Sequence, residues 1–299
     1  WFVKSKLDGA WQLVAVAFDL YPRPIPTPLH DLRPARETCE QCHWPTRFVG
    51  DKLSIRKHYE EDEANTELTT ALLLKVGGTA GNGASGIHWH VDPRVNIRYR
   101  SDETREEVYE VEYTNENGDV KLFADRKAPE EGGVWREMDC VDCHNRPSHN
   151  YQAPDSEIDV ALRDGLIDRT LPFVRKEGLR VIDAEYASHE EARETITAEL
   201  TSYYLENYPE IASERAQDIT DAATTLGDIY SVNVFPQMKV WWNTYPEHIG
   251  HERSEGCFRC HGKRLRTKER EHISRDCDVC HSVLAEREED PEILTQLNP

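Results

Sequence analysis

One pattern occurs four times in this 299-residue chain and limits what it can fold into. It reads Cys39-Glu-Gln-Cys42-His43, Cys140-Val-Asp-Cys143-His144, Cys257-Phe-Arg-Cys260-His261 and Cys277-Asp-Val-Cys280-His281. C-x-x-C-H is the attachment signature of c-type haem. Two thiols three positions apart on one turn can each add across a vinyl group of the same porphyrin. The histidine that follows offers its imidazole to the iron as proximal ligand. The chain has eight cysteines, and the four motifs use all of them. Zinc held by paired thiolates is the alternative, and disulfides are another. Neither requires a histidine directly after each pair, and with 13 histidines in the chain, four such neighbours by chance are improbable. The expectation is four covalently attached c-type haems, with His43, His144, His261 and His281 as metal ligands.

Four macrocycles change what a core needs. Each is a large apolar body, so cofactor replaces side chains. That suits a chain with 38% hydrophobic residues and a mean hydropathy of -0.73. The predicted fold is α+β and haem-centred, with little conventional core. A β-rich insert lies between the first two motifs and a helical segment between the second and third. The divisions are 1–50 (helix, proline connector, first motif), 51–154 (β-rich insert, second motif), 155–235 (helical) and 236–299 (third and fourth motifs). The net charge of -20 makes nucleic acid an unsuitable partner and suits a basic redox protein. No apolar run reaches the ~18 residues that span a bilayer. Covalent haem attachment takes place outside the cytoplasm in known c-type cytochromes, so a periplasmic or extracellular site is expected.

In chain order, Val3, Leu7, Trp11, Val14 and Phe18 make a helical stripe over 3–20. Pro22, Pro24, Pro26 and Pro28 then give a stiff connector. Leu68 to Val76 is β-compatible, and Gly77 to Gly86 is a glycine-rich loop. Tyr109, Val111 and Tyr113 alternate with Glu110 and Glu112. Asn117-Gly118 signals a hairpin, and Val120, Leu122 and Ala124 alternate after it. Ser188 with Glu191 reads as a capping box before Ala192, Ile196, Leu200 and Tyr204. Ser213 is placed to cap a helix carrying Ala216, Ile219, Ala223, Leu226 and Tyr230, and Ser156 a shorter one with Ile158 and Leu162. Gly262 to Asp276, polar and rich in Lys and Arg, reads as an exposed link. With nothing bulky there, the last two haems should form a close pair. The acidic tail from Glu286 should fray.

An iron that only carries electrons needs a sixth ligand. Nine histidines remain for this: His30, His58, His88, His90, His149, His189, His248, His251 and His272. His58, His88, His90, His149 and His251 are the favoured metal ligands. His149 follows Pro147 five residues after His144. His251 follows Gly250, which permits close approach to a ring. His88 and His90 flank Trp89; in an extended segment they share a face, one on iron and one in support. His30 and His248 rank below these, and His189 and His272 are expected at the surface. Met238 would supply a thioether ligand, but core filler is the better reading.

Several stretches resemble multihaem cytochromes of the NapC/NirT type. They are Lys6-Leu7 through Tyr21-Pro-Arg-Pro-Ile-Pro-Thr-Pro28, the run Leu32-Arg-Pro-Ala-Arg-Glu-Thr-Cys39 to Pro45, Gly86-Ile-His88-Trp-His90-Val-Asp-Pro93, Met138 to Pro147 and Gly250 to His261. The later segments look like a larger branch of that group. The resemblance implies a protein that takes electrons from a membrane quinol pool and passes them to an acceptor outside the cytoplasm. It also implies a membrane anchor and further haem motifs upstream of Trp1. The leading expectation is a tetrahaem electron relay with redox-protein donor and acceptor. A subunit of an extracellular cytochrome filament, homo-oligomeric, or of a large respiratory complex is the alternative. A nitrite- or hydroxylamine-type oxidoreductase ranks third, because none of the four motifs ends in the lysine that some such enzymes carry.

Overall fold

A computed structural model describes residues 2–27, 35–43, 50–77, 86–146, 149 and 151–297, leaving aside the side chains of Phe2 and Arg36. His30, Pro28 and most of the glycine-rich loop lie outside these residues. Helix α1 spans Phe2–Ala17 and α2 spans Ala35–Cys39, running into the first motif. The apolar stripe of α1 is not packed. Val3, Leu7, Trp11, Val14 and Phe18 are exposed, and Ala15 is the buried residue of the helix. Among the described residues no helix is long and apolar enough to cross a membrane.

Two antiparallel sheets carry the β-rich part. Strands β1 (Lys52–Tyr59) and β2 (Glu67–Leu74) pair from Lys52↔Leu74 to Tyr59↔Glu67. The third strand is β9 (His281–Glu288), which starts on the last residue of the fourth motif and pairs Leu74↔His281 and Ala71↔Ala285. The tail is therefore ordered through a strand, and through helix α9 (Glu292–Leu297), where fraying was expected.

The second sheet contains β3 (Asn96–Ser101), β4 (Val108–Thr114), β5 (Val120–Ala124), β6 (Val134–Glu137), β7 (Gly262–Arg266) and β8 (His272–Ile273). Its order is β6-β3-β4-β5-β7-β8. The expected hairpin is present between β4 and β5. Gly118 takes φ +86°, and the Asn115 side chain accepts from the backbone N–H groups of Asn117 and Asp119. Its inward face differs from the simple alternation, however. Val120 and Leu122 are exposed, while Phe123 turns to the core. The register explains this: Phe123 lies opposite buried Val111, and cross-strand partners share a face. The stretch after the third motif is not an exposed link. It folds as β7 and β8, and Leu265 is buried with Ile97, Tyr99, Val108 and Val111.

Between the second and third motifs the chain is helical: α3 (Pro154–Arg163), α4 (Val174–Ile182), α5 (His189–Asn207), α6 (Pro209–Glu214) and α7 (Ala216–Asn233). The expectation of little conventional core fails here. Ile158, Leu171, Ile196, Leu200, Tyr204, Leu226 and Tyr230 are all buried in one cluster that needs no cofactor to fill it. The hydrophobic stripes of α5 and α7 supply it as their periodicity requires. Tyr59 from β1 joins the same cluster, so the three-stranded sheet is seated on the helices. Ser188 caps α5 through Glu191 N–H at 3.1 Å, as expected. The two other expected caps are not used. Pro154 starts α3 two residues before Ser156, and Pro209 starts a short α6 that runs through Ser213.

Candidate haem-binding sites

All four motifs fold as the same single turn. The Cys39 carbonyl accepts from His43 N–H at 2.7 Å, Cys140 from His144 at 2.8 Å and Cys257 from His261 at 3.0 Å. In the fourth motif helix α8 (Cys277–Cys280) closes when His281 N–H donates to the Cys277 carbonyl. Positions i, i+3 and i+4 of such a turn share one face, so each motif presents two thiols and an imidazole together. None of the eight cysteines is paired in a disulfide. Among the described residues no three or more His, Cys, Asp or Glu side chains gather as a ligand set, which a thiolate zinc site would need. A ring nitrogen of His281 is buried without a protein partner. Buried polar atoms are rarely left so unless another group satisfies them. Two thiols and an imidazole on one face are the donor set that c-type haem attachment uses.

The motifs are neighbours in chain order. The Ala35 N–H at the head of α2 donates to Asp139 Oδ2 at 2.6 Å, and Cys39 is near enough to raise Cys140. Burial pushes the Cys140 thiol up to about 11, with Asp139 and Cys39 adding to it. Cys143, raised to about 12 chiefly by burial, has Cys257 and Cys260 beside it. Cys280 is raised by burial, with Cys257 adding to it.

Charged residues inside the motifs lock the second to the third. Asp142 is buried, accepts from Tyr99 Oη at 2.5 Å and pairs with Arg105 at 2.8 Å. Its Oδ2 also accepts from Asp139 N–H at 2.7 Å, completing a capping box on the Cys140–Asp142 turn. Arg259 reaches across from the third motif and donates to the Asp142 carbonyl at 2.7 Å and the Arg105 carbonyl at 2.6 Å. Asn145 accepts from His248 N–H at 3.0 Å. No role was expected of Asp142 and Arg259; both are charged residues that the motif does not require, and both are buried.

The candidate distal histidines sort by what holds their ring nitrogens. A backbone carbonyl can only accept, so a ring nitrogen facing one carries the proton. His88 Nδ1 donates to the Val76 carbonyl at 3.2 Å, His90 Nδ1 to Ile87 at 2.7 Å and His261 Nδ1 to Ser274 at 2.6 Å. That fixes the tautomer whose lone pair is on Nε2. Burial holds His88 and His90 below the ordinary imidazole value, with the charges of His144 and His261 respectively adding to it. The segment carrying them is not extended; it is a 3-10 turn over Ile87–Val91, so the two rings do not share a face.

His251 stacks on Phe258 at 4.3 Å between ring centres, with Arg275 over the Phe258 ring at 3.7 Å. Its ring centre is 6.1 Å from that of His281. A Cβ on Gly250 would meet no protein atom within 4 Å, whereas Gly256 is packed against the Gly250 carbonyl. His58, at the end of β1, has Nδ1 3.6 Å from buried Asp159. His149 is exposed and stacks on Tyr151 at 5.9 Å; Pro147, invoked to hold it, lies outside the described residues. His248 has both ring nitrogens engaged, by the Asp142 carbonyl at 3.2 Å and Glu106 at 2.8 Å. His189 is half-buried rather than superficial, bonded to the Val234 carbonyl at 2.6 Å, whereas His272 is exposed as expected. The Met238 sulfur accepts from Tyr21 Oη at 3.8 Å, which ties the proline connector to the body.

Comparison with known proteins gives one clear likeness. The cytochrome c-type protein ImcH of Geobacter sulfurreducens is 42% identical over 295 residues, 97% of this chain. The chain spans 58% of the length of that curated relative. No protein-family model matches the chain, and no solved structure matches it. The likeness to a cytochrome c-type protein agrees with the four attachment motifs.

Proposed function

We propose that the chain is a tetrahaem c-type cytochrome, or the tetrahaem part of a longer one, that relays electrons along a row of haems. The observation that supports it is the placement of the motifs: first beside second, second clamped to third, and third linked to fourth where Cys257 N–H donates to the Gly250 carbonyl and the His251 ring centre lies 6.1 Å from that of His281. Each haem iron, when bound, accepts and passes on a single electron. The protein's part is to attach, orient and space these centres. Cys39, Cys42, Cys140, Cys143, Cys257, Cys260, Cys277 and Cys280 attach them, and His43, His144, His261 and His281 ligate from the proximal side. The resemblance to NapC/NirT-type cytochromes points to a quinol-linked donor in the membrane and a redox-protein acceptor in the periplasm or outside the cell. The net charge of -20 suits a basic patch on such a partner.

Haem count tests this directly. The intact protein should carry four haems by mass, and the Cys140→Ala, Cys143→Ala double variant three. Two bound metals of zinc, or no covalent adduct, would overturn the proposal.

His251 would hold the iron of the fourth haem together with His281, because the two ring centres are 6.1 Å apart. His251→Ala should leave four haems attached and turn one from low-spin to high-spin. An unchanged spectrum removes His251 from the ligand set.

A further inference from the structure

We propose that Phe258, between the paired cysteines of the third motif, is a positioning residue for His251 and sets the plane in which that imidazole would meet the iron of the fourth haem. The inference rests on the ligand reading of His251 above and adds to it what orients the ring. A histidine on a metal turns easily about the metal–nitrogen bond, and a hydrogen bond from its other ring nitrogen usually fixes the angle. His261 has such a bond, from Nδ1 to the Ser274 carbonyl at 2.6 Å. Among the described residues neither ring nitrogen of His251 has a hydrogen-bond partner, and the residue is exposed, so no packed wall holds it either. What meets its ring face is Phe258. The two centres are 4.3 Å apart and the planes 15° from parallel. Stacking of this kind fixes a plane, because turning either ring loses contact across the face. The plane so fixed lies 25° from that of His281.

Phe258 is itself held. The Arg275 guanidinium lies 3.7 Å from its ring centre. Two groups this close to one ring cannot share a face, so Arg275 covers the side away from His251 and adds a cation–π contact. Ser274, whose carbonyl accepts from His261, is the residue before Arg275, and Cys277 opens the fourth motif two residues after it. The lead-in to the fourth motif therefore grips the third at its proximal histidine and at Phe258. The backbone around His251 is fixed by other contacts. Glu252 pairs with Arg56 of β1 at 2.7 Å, and Arg253 makes a bidentate pair with Asp155 of α3 at 2.6 and 2.9 Å. The Gly250 carbonyl accepts from Cys257 N–H at 2.8 Å. These contacts place the loop, and the stack sets the ring. One side chain of the third motif thus governs a ligand of the next haem.

The test uses the oxidised holoprotein and electron paramagnetic resonance, with haem number by mass. The low-spin signal of an iron between two imidazoles depends on the angle between their planes. Near-parallel rings give a rhombic signal, and crossed rings shift it to a single large g value. Phe258→Leu keeps apolar bulk and removes the flat face. It should retain four haems and shift or broaden the rhombic signal of one. Phe258→Tyr keeps the face and should restore the parent spectrum, which a role in packing alone would not require. In the His251→Ala background Phe258→Leu should add no further change. Four haems with an unchanged signal in Phe258→Leu, or a change that persists without His251, would overturn the proposal and leave the ligand reading standing. Should Phe258→Leu lose a haem, Arg275→Gln decides. It uncovers the other face of Phe258 without touching a motif, and should broaden the same signal; an unchanged signal there overturns the proposal. A His251→Ala spectrum identical to the parent would instead overturn the ligand reading itself.

Discussion

Gly256→Ala is expected to cost the third motif its fold and its haem. Gly256 precedes Cys257 at φ +41°, and a Cβ there would lie 1.9 Å from the Gly250 carbonyl oxygen and 3.2 Å from that of His248. The left-handed conformation alone costs a residue with a side chain about 1–3 kcal/mol. The clash adds to that, because backbone rather than a flexible side chain is in the way. The same Gly250 carbonyl accepts from Cys257 N–H at 2.8 Å, so moving it disturbs the attachment turn and the neighbouring His251 together. The expected result is a chain with three haems, or one whose thermal midpoint falls sharply. Gly250→Ala is the control. It also has positive φ, +77°, but its Cβ would meet nothing within 4 Å. It should lose about 1 kcal/mol, the conformational part only. A Gly256→Ala protein with four haems and the parent midpoint would contradict this account.

What the sequence disclosed was the local chemistry. The four C-x-x-C-H turns, the Ser188 cap and the stripes of α5 and α7 depend on residues within a turn or two of each other, and each is present. Features set by distant partners were not legible. Leu265 is buried because β7 adds to a sheet begun more than a hundred residues earlier, so a Lys- and Arg-rich stretch read as solvent-facing. The face of β5 follows from pairing Phe123 with Val111, which alternation alone leaves undecided. The conventional core was underestimated for a different reason. Haem was allotted to the whole chain, yet the helical segment contains no motif and fills its own interior. The stripe of α1 failed in the opposite sense: a helical period predicts a face, not a partner for it. His88 and His90 illustrate both limits. Their residue type named them as ligands, but only the turn shows that they diverge.

Asp142→Ala is expected to destabilise the protein by about 3–5 kcal/mol, the usual cost of removing one partner from a buried charge pair. The carboxylate is buried and serves Tyr99, Arg105 and the Asp139 N–H at once. Its loss leaves the Arg105 charge without its counter-ion and the Tyr99 hydroxyl without its acceptor. It also removes the side chain that caps the turn carrying Cys140. Arg259 binds the Asp142 backbone carbonyl rather than the carboxylate, so the clamp to the third motif loses its support indirectly. Tyr99→Phe separates these contributions. It deletes one hydrogen bond, keeps the ion pair, and should cost about 1–2 kcal/mol. Urea titration of the holoprotein, followed by far-UV circular dichroism and by haem absorbance, gives both numbers. The haem signal should change at lower urea in Asp142→Ala than in the parent, because the weakened contact lies between the two attachment turns. A midpoint for Asp142→Ala no lower than that for Tyr99→Phe would show that the carboxylate contributes only a hydrogen bond, and that the charge pair with Arg105 does not hold the second motif in place.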